Sequence, residues 1–464
     1  MKYAPVQVLP DVPAGGVAAG IDWAVADHVA CVAGMAGRVT DRFSAVHDKA
    51  GIAMLIARLR RSGAGEVAIE RGNGVLVEAL LAAGLTVVVI SPHRVKNLRA
   101  RYRSGGGKDD RFDSFVLADT LRTDRARLRP LVPDTPVTLA LRAAVRARKD
   151  LVAHRVRACN QLRAHLAVAF PAAIGLFAEL DSPVSLRFLA GFGSQDAAAA
   201  LDEQALLGWL AAGPGRGRGN TAPASVLCAR LRAAPGGVTG EEGAAHAVIT
   251  TALAATAGML AAQIKILETA IGVQLAAHPG AHIFTSLPRA GMLRAARLLA
   301  GIGDCRSRYP GPQALAALAG VVPVTRASGT HTSHAFRWAV SRPLRDAVCD
   351  FADGSRHASP WAQSVYQAAR DRGKDHQHAV RILGRAWIII IWRCWQEGIP
   401  YDPAKHTALQ AVLDQQAAQA AAAAPAGGIS PCPAADSAPS KSPPAPPQPP
   451  RSATAAPAAA TWNQ

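Results

Sequence analysis

VAAGID (residues 17–22), HVACVAG (28–34) and VTDRFSA (39–45) open the patterned part of the chain, and EVAIE (66–70) and TVVVIS (86–91) follow them. Each is a short run rich in Val, Ile, Ala or Thr, which is how strands read. The first is apolar up to Asp22 and reads as buried, with the next two as its antiparallel continuation. Residues 50–61, 75–83 and 110–122 carry apolar side chains at helical spacing. Three strands followed by alternating helices and strands predict an α/β layer fold over residues 15–136.

Beyond this block the chain turns helical. In LRAAVRARKDLVAHRVRACNQLRAHL (141–166), Val145, Val152, Cys159 and Leu166 fall seven apart, and Leu141 and Val156 widen the stripe. This coiled-coil-like spacing offers an element for assembly. The other faces hold Arg142, Arg146, Arg148, Lys149, Arg155, Arg157 and Arg163 against Asp150 alone. A charge run is ordinarily a solvated face, but a run of one sign is explained at least as well by nucleic-acid contact. GPGRGRGN (213–220) breaks the region, and an alanine-rich helix is expected over 244–277. Four segments result: the α/β domain at 15–136, a helical, coiled-coil-like region at 137–280, a helical module with loops at 281–405, and an Ala/Pro-rich tail at 406–464 that is expected to be disordered.

The 464 residues carry a formal net charge of +18, and the tail's Asp414, Asp436, Lys441 and Arg451 cancel, so the excess lies on the rest. A chain this basic usually binds a polyanion, because each phosphate neutralised releases a counterion. An anionic membrane is the rival partner, but no basic amphipathic anchor or lipidation sequence supports it. Residues 1–13 hold one lysine and no long apolar run, unlike a signal peptide. Residues 387–391 are too few to span a bilayer, and 244–262, mostly Ala and Thr with His246 inside, fit a packed helix better. Seven cysteines without a C-x-x-C pair argue against zinc or a disulfide framework and for the reducing cytoplasm.

Four carboxylates sit where a metal site would need them. Asp22 ends the first strand, Glu70 ends a later one before RGNG, and Asp110 and Asp113 share a face at the start of a helix. Converging strand ends and a helix face can hold two Mg²⁺ ions about 4 Å apart for phosphoryl transfer. Taken singly, each acid is better explained as a turn or cap residue. Spacing alone leaves the pair 109/113 as good as 110/113.

GIDWAVADHVACV (20–32), AIERGNG (68–74), VVVISPHRVKNLRARY (87–102) and GGGKDDRFDSFVLADTLR (105–122) together resemble the amino-terminal domain of the DEDD transposases of insertion-sequence family one-ten. That family's Asp after Gly-Ile, Glu in an E-x-x-G turn, and K-x-D-x-x-D map onto Asp22, Glu70, Asp110 and Asp113, and select Asp110 over Asp109. The resemblance implies a ribonuclease-H-like, RuvC-like fold and a Mg²⁺ site similar to that of Holliday-junction resolvases. Trp23 and Asp109 replace usually smaller residues.

Residues 284–403 resemble the same family's carboxy-terminal domain, and the two matches occur in the family's order. There the Ser-Gly following a G-x-x-P element supplies a nucleophile, which here is Ser328, after Gly320 and Pro323. A serine hydroxyl can hold a DNA strand as a phosphoserine ester, with Arg326, His331, His334 and Arg337 available to neutralise the phosphate. Without the resemblance a Ser-Gly reads as a surface turn, and nothing else ranks Ser328 above Ser333 or Ser341; no general base is assigned. LPRAGMLRAARLLAGIGD (287–304) resembles a phosphate-binding helix-hairpin-helix altered by Arg289 and Ala290. Trp387, Trp392 and Trp395 read better as core or oligomer packing than as base-stacking residues.

The resemblance implies cutting and rejoining of donor and target DNA, guided by a structured RNA from the same element. It also implies a homo-oligomer, dimer or tetramer, in which the serine of one subunit meets the carboxylates of another. The chain shows no base-reading motif of its own. A junction-selective nuclease and a non-catalytic nucleic-acid-binding protein are the two other classes.

Overall fold

The computed structural model describes residues 8–102, 109–213 and 222–423. Strands β1 (Val17–Trp23), β2 (Asp27–Gly34) and β3 (Val39–Val46) form an antiparallel meander. β4 (Glu66–Ile69) and β5 (Thr86–Val89) extend the sheet in parallel from the far side of β1, giving the order β3-β2-β1-β4-β5. Helix α1 (Lys49–Arg61), capped by the Asp48 carboxylate accepting from Gly51 N–H at 2.6 Å, carries the chain from β3 to β4. Helix α2 (Val75–Ala82) makes the crossover that parallel β4 and β5 require.

These helices cover one face of the sheet, where Leu55, Leu59, Leu76 and Leu80 pack on Ala19, Ile21, Val32 and Val67. Helices α3 (Pro92–Arg99) and α4 (Asp110–Thr123) cover the other, with Val95, Val116, Leu117 and Leu121 on Ala18, Ala68 and Val88. Side chains of β1 therefore alternate: Ala19 and Ile21 face α1 and α2, while Ala18, Gly20 and Asp22 face α4.

Helix α5 (Pro136–Ala169) leads into short α6 (Pro183–Gly191), α7 (Gln195–Ala199), α8 (Glu203–Ala211) and α9 (Ala224–Ala233), and then the long α10 (Gly240–Ala276), which packs along α5. On α10, Thr250, Ala257, Ile264 and Ile271 are buried seven apart. Along the stripe read on α5, Leu141 and Leu166 are fully buried and Val145, Val152 and Cys159 partly so; Val156 is half exposed, and Leu162, outside the stripe, is fully buried. By length and composition α10 is apolar enough to cross a membrane; here one side of it is covered by α5. The break at 214–220 lies outside the described residues.

The last helices are α11 (Ala281–Thr285), α12 (Gly291–Ile302), α13 (Pro312–Leu318), α14 (Arg342–Ser355), α15 (Pro360–Asp371), α16 (His376–Glu397) and α17 (Thr407–Ala423). Between α13 and α14 stands a hairpin, β6 (Val324–Ser328) and β7 (His331–Ala335), that the reading of 281–405 as helices and loops does not contain. Trp387, Trp392 and Trp395 lie in the core, their indole N–H groups donating to Ser355 Oγ, Tyr309 O and Gly303 O at 2.8, 3.0 and 2.8 Å. The expected disorder from 406 is corrected by α17, since Leu409 is buried and Val412 packs on the same core. Residues 424–464 of that tail lie outside the described residues.

Asp134, just before α5, ties the α/β domain to the last helices. Its Oδ1 accepts from the backbone N–H of Asp304 and Cys305 at 3.0 and 3.2 Å, and its Oδ2 binds Arg308 at 3.0 Å and Arg142. Gly303 leaves room for it: a Cβ there would lie 2.3 Å from Oδ1, and the backbone holds φ +85°. Burial alone would raise the Asp134 carboxyl, but Arg308 and Arg142 outweigh it and hold the group down to about 2. This depression below the ordinary 3.8 contributes about 2 kcal/mol of stability, present above pH 4 and lost as the pH falls through 2. Chemical denaturation across that range should show the loss, and Asp134→Asn should flatten the slope while lowering stability at neutral pH. An unchanged slope in the variant would place the acid sensitivity elsewhere.

Candidate functional site

The carboxyl end of β1 and the first turn of α4 meet at one place. Asp22 is the penultimate residue of β1, and Asp110 and Asp113 lie one turn apart on α4. Carboxylate oxygens of the three all lie within 4.8 Å of one another. Packing at Gly20 makes this possible. A Cβ on Gly20 would stand 2.2 Å from Ser114 O and 2.4 Å from Ala118 N, so only glycine lets the α4 backbone settle on β1.

The neighbouring Asp109 has a different task. It caps α4, its Oδ1 accepting from Arg111 N–H at 3.1 Å, which leaves Asp110 as the acid in the cluster. Glu70 follows the last residue of β4, whose Ile69 pairs in parallel register with Ile21, so it sits at the same end of the sheet, half buried. Its carboxylate is not among the three that converge. Lys108 of the K-x-D-x-x-D pattern lies outside the described residues.

Three carboxylates this close repel one another, and Asp113 is almost fully buried. Arg99, the last residue of α3, answers that charge with both nitrogens of its fork, Nε at 2.6 Å from Asp113 Oδ1 and Nη2 on Oδ2. Sequence reasoning passed over Arg99; its only signal there is a basic residue in the stretch before the aspartates. Oxygen-only donors at this spacing suit a hard divalent cation.

Ser328 stands exposed at the end of β6, and Gly329 takes φ +57° at the first position of the two-residue turn, where a tight hairpin favours glycine. In the ladder Ser328 pairs with His331 and Arg326 with Ser333, so Ser328, Arg326 and His331 share one face. His334 lies on the other, its Nδ1 3.1 Å from Thr325 Oγ1. Of the four residues expected around a phosphate, the ladder thus brings Arg326 and His331 to the serine's side. In the altered helix-hairpin-helix, Arg289 adopts φ +57°, among the described residues the sole non-glycine in that region of backbone space.

Residues 19–171 match the family model for DEDD transposases of the IS110 type, and residues 281–367 match that described as transposase of the IS116/IS110/IS902 family. The chain is 31% identical over 409 residues, 85% of its length, to 97% of the mini-circle transposase assigned to IS117 of Streptomyces coelicolor. It is 29% identical over 406 residues, 84% of its length, to 98% of a 42 kDa protein of insertion element IS900 from Mycobacterium paratuberculosis. The chain belongs to the IS110 family of DEDD transposases. It is therefore a transposase of an insertion sequence, an enzyme acting on DNA, and its acidic cluster is a candidate site for the divalent metal on which such enzymes generally depend.

Within this transposase Arg99 supplies the positive charge that a bound cation would otherwise bring. Arg99→Ala should cost about 3 kcal/mol in chelator-treated protein by leaving Asp113 buried without a partner. Mg²⁺ or Mn²⁺ should then raise the melting temperature of the variant more than that of the wild type, because the ion binds the folded state alone. Equal shifts in both proteins would separate Arg99 from the metal site.

Proposed function

We propose that this transposase cuts and rejoins DNA through Mg²⁺ held by Asp22, Glu70, Asp110 and Asp113, with Ser328 as the nucleophile. The observation that carries the reading is the convergence of Asp22, Asp110 and Asp113 at one sheet end. Strand order β3-β2-β1-β4-β5, with acids at the carboxyl end of the central strand, supports the ribonuclease-H-like, RuvC-like assignment. Glu70, one step beyond the strand paired to β1, completes the set by a modest shift of its loop. When bound, Mg²⁺ supplies electrostatic stabilisation of the phosphoryl oxygens and of the leaving oxygen.

The chain's own residues do the rest. Arg326, on the face of Ser328, binds the scissile phosphate. The Ser328 Oγ–P bond forms as the bond from phosphorus to a sugar oxygen breaks, and the serine proton passes to that oxygen. His331, directly across the ladder, is placed to carry the proton. Rejoining is the reverse step with a hydroxyl of the new strand, so phosphoester bonds are conserved and no ATP is consumed.

Ser328→Ala should bind DNA and yield no covalent adduct, while Ser333→Ala should still form one; peptide mapping of the protein-bound DNA reads the result. Adduct on another residue would remove Ser328 as the nucleophile, and ends carrying only water-derived hydroxyls would replace the recombinase with a junction nuclease.

Sequence choice is assigned to a structured RNA of the element, which pairs with donor and target DNA and which sequencing of copurified RNA would identify. The net charge of +18 supports a polyanionic partner, and the enzyme works in the cytoplasm. On α5, Arg142, Arg148, Lys149 and Arg155 are engaged by Asp134, Glu268, Asp346 and Asp181. Among the described residues Arg146, Arg157 and Arg163 are exposed without a carboxylate partner, so they are the phosphate contacts of that helix.

Assembly is assigned to α10. Val248, Ala252, Ala255, Met259, Ala262 and Ile266 are exposed at three- and four-residue steps, and Val273 follows seven residues on, a second seam beside the one buried on α5. Met259→Lys with Ile266→Lys should reduce the mass measured by light scattering to that of the monomer without unfolding the protein. A mass unchanged from the wild type would remove α10 from the interface.

A further inference from the structure

Among the described residues Trp338 is the one exposed tryptophan, at 76%. It stands three positions beyond the end of β7, at the base of the hairpin whose tip carries Ser328. Phe336, 36% exposed, meets it edge to face with ring centres 4.9 Å apart. Phe336 is itself fixed: the guanidinium carbons of Arg345 and Arg381 lie 4.4 and 5.1 Å from its ring centre. Arg345 also donates to the carbonyl of Arg337, and Arg337 donates to Pro323 O at 3.4 Å, which ties the segment to the chain entering β6. The hairpin base thus presents a braced indole to solvent.

An exposed aromatic braced by arginines can serve a protein partner or a nucleobase. Charge decides between them. No carboxylate occurs between Asp304 and Asp346, while in and just after the hairpin that stretch holds Arg326, Arg337, Arg342 and Arg345. A second copy of this surface would repel the first. A DNA strand brings phosphates for the arginines and flat apolar faces for the ring, and every base has such a face.

We infer that Trp338 is a stacking platform for an unstacked DNA base on the strand whose phosphate reaches the Ser328 hairpin. The inference rests on the reading of that hairpin as the element that engages DNA. Four residue steps along β6 separate tip from base, about 13 Å, the rise of about four stacked nucleotides. Trp338, three residues past that hairpin base, would hold a nucleobase out of the duplex a few nucleotides from the break and keep the cut end from sliding. Buried Trp387, Trp392 and Trp395 are not available for this role.

The test uses the full chain and an oligothymidylate carrying one 5-iododeoxyuridine, which photocrosslinks to an aromatic ring stacked on it. Peptide mapping should place the crosslink on Trp338. Trp338→Ala should abolish it and weaken binding of the single strand about tenfold, while Trp338→Phe should retain most of both. A duplex of the same sequence should compete poorly. The crosslink should persist in Ser328→Ala, so loss of the serine's covalent role and loss of the platform are read separately. A crosslink on other residues, or unchanged single-strand affinity in Trp338→Ala, would overturn the inference. A Trp338→Ala protein that keeps its DNA affinity and loses subunits would assign the surface to a protein interface instead.

Discussion

The contact between the backbone of α4 and strand β1 at Gly20 is the constraint from which the rest of the site follows. A methyl group at that position would meet Ser114 O and Ala118 N well inside van der Waals range, and nothing flexible stands there to give way. The helix would have to lift, and Asp110 and Asp113 would lift with it from Asp22. A site made of three carboxylates is electrostatically unfavourable until a cation arrives, so its geometry has to be imposed by packing. Val116, Leu117 and Leu121 on the sheet supply that packing, and Arg99 supplies interim charge.

Much of this was legible in the sequence. The uninterrupted apolar run into Asp22 and the change from strand spacing to helix spacing gave the layers. Asp110 and Asp113, three apart, had to share a face. Choosing Asp110 over Asp109 needed the family pattern, and the physical reason emerges only in three dimensions, where Asp109 is taken up by the helix cap. The hairpin β6–β7 was not legible because VTRAS and HTSHA are exposed nearly throughout, so neither shows the alternation that marks a half-buried strand. Helix α17 was hidden by its alanine-rich composition, in which Leu409 and Val412 are the few anchors.

Tryptophan illustrates a further limit. The sequence draws the eye to the cluster in α16, yet those indoles are buried and satisfied by hydrogen bonds. Trp338, with unremarkable neighbours in sequence, is the one left open to solvent among the described residues. Exposure depends on where the last turn of the hairpin leaves the chain, which no local pattern encodes. The same holds for α5, where tertiary ion pairs with Asp134, Glu268 and Asp181 sort the arginines into structural and available ones.

On the function proposed above, the molecule separates two demands of strand exchange. Carboxylates sit on a rigid sheet end fixed by close packing, while the serine rides an exposed hairpin able to meet a strand presented to it. Both depend on the cluster at Asp22 being a metal centre. The most direct measurement is anomalous scattering from crystals of the protein grown or soaked with Mn²⁺. A peak bounded by the carboxylates of Asp22, Asp110 and Asp113, with Glu70 drawn toward it, is the predicted result. Full occupancy by Mn²⁺ at another group of residues, or a cluster that holds no Mn²⁺ and keeps only the Arg99–Asp113 pair at saturating Mn²⁺, would contradict the account.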